Sequence, residues 1–313
     1  MFMTDDSESF REQFSRKLKA LYERANDLTH GVLGIVWDAF RHFSQANASE
    51  AAASVTFYAI FSLFPFLLAL IVGGSFVLQS EQVQQWVFEV VAQIVPVAER
   101  LIERNIQAVL GRRGTVGLIA LIGLVWSATS VLTVLARNIN RAWPEAELRS
   151  FVEDRLMALG MVTGLAALLG LSSISNTVFN VLARFSIPIG GGIEMDETPL
   201  WTTLLSVVPR LFAFLALLGL YRWVPNTKVR WSEAFWGALV ATPAAEIATN
   251  SFSWYLSSGI IQYELIYGSL GTVVALMLWI YISILITLFG AHLSAAVTRH
   301  ARGKRQEEEN TDQ

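Results

Sequence analysis

The chain has no cysteine among its 313 residues, which rules out a disulfide framework, a thiolate nucleophile and a thiolate metal site. Charge is scarce too: charged residues make up 16% of the sequence, against about 25% in an average soluble domain. No P-loop, GxSxG or HExxH occurs. The histidines His30, His42, His292 and His300 are scattered, without the HxHxDH-like cluster that a metal nuclease uses to hold cations. No cofactor and no nucleic-acid partner is therefore expected, and the net charge of −3 gives no basic surface for one. Residues 1–30 are charged and lack an apolar h-region, so no cleavable signal peptide is expected. The first membrane helix then serves as an uncleaved insertion signal.

What the chain has in abundance is apolar surface. Hydrophobic residues make up 53%, and the mean hydropathy is +0.46. The charges gather near the termini and between long apolar runs, as suits a molecule solvated by lipid in its middle and by water at its edges. Six runs reach the roughly 20 residues that a helical span requires, at about 55–78, 115–136, 157–182, 204–222, 232–255 and 267–297. No alternating strand pattern recurs, which argues against a β-barrel. The expected fold is all-α: a polytopic membrane bundle of six transmembrane helices over residues 31–298. A polar segment, 1–30, precedes it, and a charged tail, 299–313, expected to be disordered from Ala301, follows it.

Lysine and arginine set the orientation. With the N-terminus inside, 17 of them fall in inner segments, 5 in outer ones, and Arg210 lies within the fourth span. That bias predicts a bacterial-type inner-membrane protein with both termini in the cytoplasm. Two more segments show helical periodicity without spanning. Residues 83–109 form an amphipathic excursion on the outer side, and about 31–46 form a cytoplasmic interfacial helix. Gly237, Ala241, Ala245 and Thr249 make a small-residue stripe for close helix approach, and Gly160 and Gly164 are expected to do the same. Pro65, Pro209 and Pro243 fall inside spans and each removes a ladder hydrogen bond. Trp86, Trp143, Trp201, Trp223, Trp231 and Trp254 lie near the expected membrane boundaries, as in an aromatic belt.

Several local patterns occur together and in order. They are Ala51-Ala52-Ala53 with Phe57-Tyr58 and the run 61–67, the stretch Arg137-Asn138-Ile139-Asn140-Arg141-Ala142-Trp143, and Tyr221-Arg222-Trp223-Val224-Pro225-Asn226. Trp231 with Gly237, Tyr267-Gly268-Ser269-Leu270, Leu278-Trp279-Ile280-Tyr281 and Phe289-Gly290-Ala291 complete the set. From about residue 35 to 298 the chain resembles the YihY/virulence factor BrkB family of bacterial inner-membrane proteins. The resemblance implies a six-span helical protein. The family has carried a ribonuclease label, a virulence association and suggestions of transport, including of lipid-like cargo. Where the family usually reads Gly-Ala-Glu near the end of the last span, this chain reads Gly290-Ala291-His292. A role tied to a carboxylate there does not carry over.

The sharpest intramembrane feature is Arg210, about twelve residues, or roughly 18 Å, from Arg222 at the inner end of its span. Glu246 lies at a similar depth, roughly 22 Å from Trp231. An Arg210–Glu246 pair with Asn250 one turn further along would line an internal polar cavity. The alternatives are a pair that only ties two spans together, and an Arg210 that snorkels outward. His292, near the cytoplasmic end of the last span, reads either as a proton-sensitive gate or as a packed imidazole. Glu50, at the start of the first span, either caps the helix or lines an entrance. Ser127, Thr129, Ser130 and Thr133 hydroxylate the second span and are expected to bond to backbone.

Two functions compete. One is a transporter or translocator of a small solute or lipid, which without an ATP-binding motif is secondary, facilitated or driven by a partner. The other is a non-transporting envelope scaffold. Membrane lipids are the one partner common to both, and ribonuclease activity is not expected.

Overall fold

A computed structural model of the chain describes residues 32–77, 113–147, 149–184, 199–258 and 270–311. Its helices are α1 (Val32–Gln45), α2 (Ala48–Val77), α3 (Arg113–Asn140), α4 (Phe151–Arg184), α5 (Pro199–Trp223), α6 (Trp231–Ser257) and α7 (Leu270–Thr311). No strand occurs among the described residues. Among the described residues, three stretches, Ile122–Asn140, Phe151–Ser172 and Val273–Gly303, are long and apolar enough to cross a membrane, and Ala48–Leu63 is a shorter apolar helix. In α6, Glu233, Thr242, Glu246, Thr249 and Asn250 dilute the hydropathy. The expected excursion at 83–109 and the polar segment 1–30 lie outside the described residues.

The helices from α2 to α7 form a ring, each packed on the next, and α7 closes it against α2. Their directions alternate. The starts of α2, α4 and α6 meet the ends of α3, α5 and α7 in one layer, the floor of the bundle. Its core joins Ala51, Ala52 and Val55 to Leu135, Ala136 and Ile139, to Met161, to Tyr221 and Val224, to Ala234, Ala238 and Ala241, and to Leu288, Ala291 and Ala295. Alanines dominate because small side chains let helix backbones approach closely. The stretch 288–298 of α7 is buried almost continuously, so this end of the helix occupies the middle of the floor.

The tightest crossing is that of α6 with α7. A Cβ on Gly237 would sit 2.5 Å from the carbonyl oxygen of Gly290, and one on Gly290 would collide with the Tyr221 hydroxyl. That hydroxyl donates to the Thr287 carbonyl at 2.9 Å, tying α5 to α7 at the same level. Gly237 and Ala241 thus act as their spacing predicts. Gly160 and Gly164 do not: nothing lies within 4 Å of a Cβ added at either, so they leave α4 smooth rather than packed.

Among the described residues, the other half of the bundle is less closely packed. Leu118, Ile122 and Trp126 on α3, Leu169 and Ile174 on α4, Val207 and Leu211 on α5, Ile247 and Trp254 on α6, and Val274 on α7 are all exposed. Pro65, Pro209 and Pro243 lie inside α2, α5 and α6, and each helix continues through its proline.

α1 lies along the end of α7, where Ala39 packs with Leu293 and Ala296. Its opposite side exposes Val32, Leu33, Val36, Trp37 and Phe40, one apolar stripe at helical spacing. Asn47, with φ of 51°, makes the left-handed turn into α2, a conformation that asparagine tolerates better than most residues. Two expectations need correction. The tail is not disordered from Ala301, because α7 runs on to Thr311 through strong helix formers and Arg302 pairs with Glu145. Trp143 is 2% exposed and belongs to the floor's core, not to an interfacial belt, whereas Trp223, Trp231 and Trp254 are exposed.

Candidate functional site

Two groups of polar side chains stand out, one in the open half and one in the floor. In the open half, Arg210 of α5 meets Glu246 of α6. The guanidinium donates from Nε at 2.8 Å and from NH2 at 2.6 Å, both to Glu246 Oε1. Arg210 shares its helix face with Phe214, Leu217 and Tyr221, at spacings of four, seven and eleven. Those three residues pack on or within the core, so the pair continues the inward stripe of α5. Glu246 lies on the side of α6 that carries Phe235, whose ring meets Phe214 edge-on at 5.5 Å. The side chains are 51% and 36% exposed, so the pair is only half covered. Asn250 is exposed one turn beyond Glu246.

The other two candidates stand apart from this pair. His292 is 2% exposed, lies in the floor and meets the Phe43 ring edge-on at 5.7 Å. Its Nδ1 has no hydrogen-bond partner, as for an imidazole enclosed by packing. Glu50 is exposed in the first turn of α2. The hydroxyls of α3 bond to their own helix as expected: Thr129 donates to the Val125 carbonyl and Thr133 to that of Thr129, both at 2.6 Å. Thr129 and Ser130 also accept from Arg155 of α4, at 2.7 and 3.1 Å. The Arg155 guanidinium lies 4.4 Å from the centroid of the Trp126 ring, a cation–π contact.

The floor holds a denser polar network, most of it invisible as single residues in the sequence. Arg137 Nε donates to Asp154 at 2.6 Å, and Asp154 is 5% exposed. The backbone N–H of Asn226 donates to Asn140 Oδ1 at 2.7 Å, and the side-chain amides of both residues donate to the Glu147 carbonyl at 3.2 Å. Arg149 donates to the Val224 carbonyl at 2.6 Å. These bonds lace the α3–α4 connection to the α5–α6 connection. Arg299 of α7 donates twice to Asp38 of α1, at 2.8 and 2.9 Å, and once to the Ala142 carbonyl. Buried Glu233 accepts the Arg230 N–H at 2.8 Å and the Thr298 hydroxyl at 3.0 Å.

A signal for part of this network was present. Arg137, Asn140, Tyr221 and Asn226 all belong to the patterns that carried the family resemblance, and Asn140 and Asn226 bond to each other directly. Asp154, Glu233 and Thr298 had no such signal. An acidic residue in the first turn of a helix reads first as a dipole or cap partner, and only the fold shows that it is buried.

Outside the floor's core, Glu153 also caps α4. The Ser150 N–H donates to its carboxylate at 2.8 Å, and the Glu153 N–H donates to the Ser150 hydroxyl at 3.4 Å. Among the described residues, no group of three His, Asp or Glu side chains is arranged to hold a metal ion.

Comparison with known proteins identifies the family. The family model described as virulence factor BrkB matches residues 39–313. A UPF0761 membrane protein of Alteromonas mediterranea is 28% identical over 296 residues, covering 93% of this chain and 96% of its own. A UPF0761 membrane protein of Legionella pneumophila is 28% identical over 83% of this chain, which spans 61% of that relative's length. A protein of Bacillus subtilis named as ribonuclease-like, YfkH, is 24% identical over 86% of this chain and 96% of its own. No solved structure matches. With its apolar helices and a family match over most of its length, the chain belongs to the BrkB family of membrane proteins.

Proposed function

We propose that this protein crosses a bacterial inner membrane six times, through α2 to α7, with both termini in the cytoplasm, and translocates a small solute or lipid without ATP. The floor is then the cytoplasmic end, where lysine and arginine gather, and the open half faces the outer side. The observation that carries the reading is the Arg210–Glu246 pair, half-exposed in the open half above a packed floor. A charged pair that faced hydrocarbon would cost about 3 kcal/mol or more per residue, so a pair left partly uncovered implies a hydrated space beside it. The alternating helix directions support the even number of crossings.

An enzymatic role is not part of this proposal. Asp154 and Glu233 of the floor are engaged in ties between elements, and no convergent set of carboxylates and histidines occurs among the described residues. The test is reconstitution of the purified protein in liposomes carrying a fluorescent phospholipid on one leaflet. Wild-type protein should equilibrate the reporter faster than empty vesicles do, and Arg210→Ala should slow it about tenfold, a loss of roughly 1.4 kcal/mol. Equal rates in wild type, Arg210→Ala and empty vesicles would leave the scaffold reading in place of transport.

A further inference from the structure

Beside the floor, a cleft of about 640 Å³ opens where α4 meets the two laced connections. Its volume lies within the range of about 300–1,000 Å³ common for small-molecule sites. The lining divides by chemistry. Glu147, Arg149 and Glu153 form one part, and Leu156, Met157 and Gly160 form the other. The polar part is fixed by the network already described. The Glu147 main chain is held by two asparagine amides, Arg149 by the Val224 carbonyl, and the Glu153 carboxylate by the Ser150 N–H. Arg149 spends one of its five N–H donors on the Val224 carbonyl, and Glu153 accepts the Ser150 N–H through one of its two oxygens. The apolar part runs onto bare helix, because nothing lies within 4 Å of a Cβ added at Gly160 or Gly164. Leu156, beside it, is 64% exposed.

This arrangement selects a ligand. The polar part carries two carboxylates and one guanidinium, so an anion alone would meet net repulsion, while a zwitterion with both an ammonium and a phosphate meets a partner for each. Carboxylates accept hydrogen bonds, which a primary ammonium can donate and a quaternary one cannot. None of the described lining residues is aromatic, so among them no cage that favours quaternary ammonium is formed. The apolar part beside a smooth helix suits an acyl chain.

We propose that this cleft is a binding site for a phospholipid with a primary ammonium headgroup, the ammonium on Glu147 and Glu153, the phosphate on Arg149, and one chain along Gly160 and Gly164. The inference rests on the proposed orientation, which brings this end of α4 to the headgroup region, and it does not require transport.

The experiment is native mass spectrometry of the full chain taken from vesicles with equal parts phosphatidylethanolamine, phosphatidylcholine and phosphatidylglycerol. Wild-type protein should retain phosphatidylethanolamine about tenfold above its share, the scale of one charge-assisted hydrogen bond lost with either competitor. Gly160→Leu, which fills open space, and the double variant Glu147→Gln/Glu153→Gln should both bring retention back to the bulk ratio. Gly170→Leu, equally uncrowded on the same helix and outside the cleft lining, should leave it unchanged. Retention of all three lipids at the bulk ratio, enrichment of phosphatidylglycerol, or enrichment that survives both cleft variants would overturn the assignment. A protein that retains the lipid yet fails the liposome assay keeps this site and loses the transport reading.

Discussion

In the floor, alanines and glycines let the helices pack closely, and the buried carboxylates Asp154 and Glu233 each have a partner from another element. In the open half, the same helices carry leucine, isoleucine, valine and tryptophan side chains that touch little protein. Under the proposed orientation, the contrast follows from the solvent each half meets. Apolar side chains facing lipid gain nothing by packing together, so helices there are free to separate. Helices associate where small residues allow close approach and where polar groups need partners. The floor supplies both needs at once, and it fixes the axes that carry Arg210 and Glu246 into register higher up.

The comparison breaks most sharply at Gly290. Alanine there would place a methyl group against the Tyr221 hydroxyl and within 2.8 Å of Ala241 Cβ. Both neighbours are buried, so relief requires the α6–α7 crossing to open. The expected loss is about 3 kcal/mol, at the upper end of overpacking costs. It should be read as a lowered thermal midpoint in detergent. The matched change Gly164→Ala meets open space and should stay within about 0.5 kcal/mol of wild type. Equal effects at the two glycines would mean that the floor is no tighter than the rest.

Next in size is the Arg137–Asp154 tie. Arg137→Ala leaves a nearly buried carboxylate without its cation and should cost about 2 kcal/mol. The double variant Arg137→Ala/Asp154→Asn should recover most of that loss, because the stranded charge is gone. If the double variant is as unstable as the single, the guanidinium contributes packing and not charge compensation.

How much of this was legible depended on how local the signal was. The 31–46 stripe locates α1 to within one residue at each end, since an amphipathic pattern records both faces of a helix. Helix α2 begins at Ala48, seven residues before the span expected from about 55. Hydropathy registers the length that sits in hydrocarbon, and Ala48, Ala51 and Ala52 are a buried prelude to it. Depth counting put Arg210 beside Glu246 because two antiparallel helices of known rise leave few other partners. The floor's lacing was not legible, because it depends on two connections, 141–150 and 224–230, meeting in space. Trp143 misled for a related reason: a tryptophan after an apolar run reads as an interfacial anchor unless the turn that buries it is known. Gly160 and Gly164 have the spacing of a packing motif, yet spacing alone does not supply the helix that would pack there.

The smallest expected effect separates the two halves by their solvent. If open space beside Arg210 and Glu246 holds water, Arg210→Ala removes a screened, half-exposed pair and should cost under about 1 kcal/mol. If the pair faced lipid, the same change would strand Glu246 in hydrocarbon, at a cost of about 3 kcal/mol. Thermal midpoints of Arg210→Ala, Glu246→Ala and the charge swap Arg210→Glu/Glu246→Arg decide between these. Small losses in both singles, with wild-type stability in the swap, fit a hydrated pair. Large losses in the singles that the swap restores fit a pair buried against lipid, and would remove the cavity from the account. A swap that restores nothing would mean that each charge is held by its own helix and that the ion pair contributes no stability.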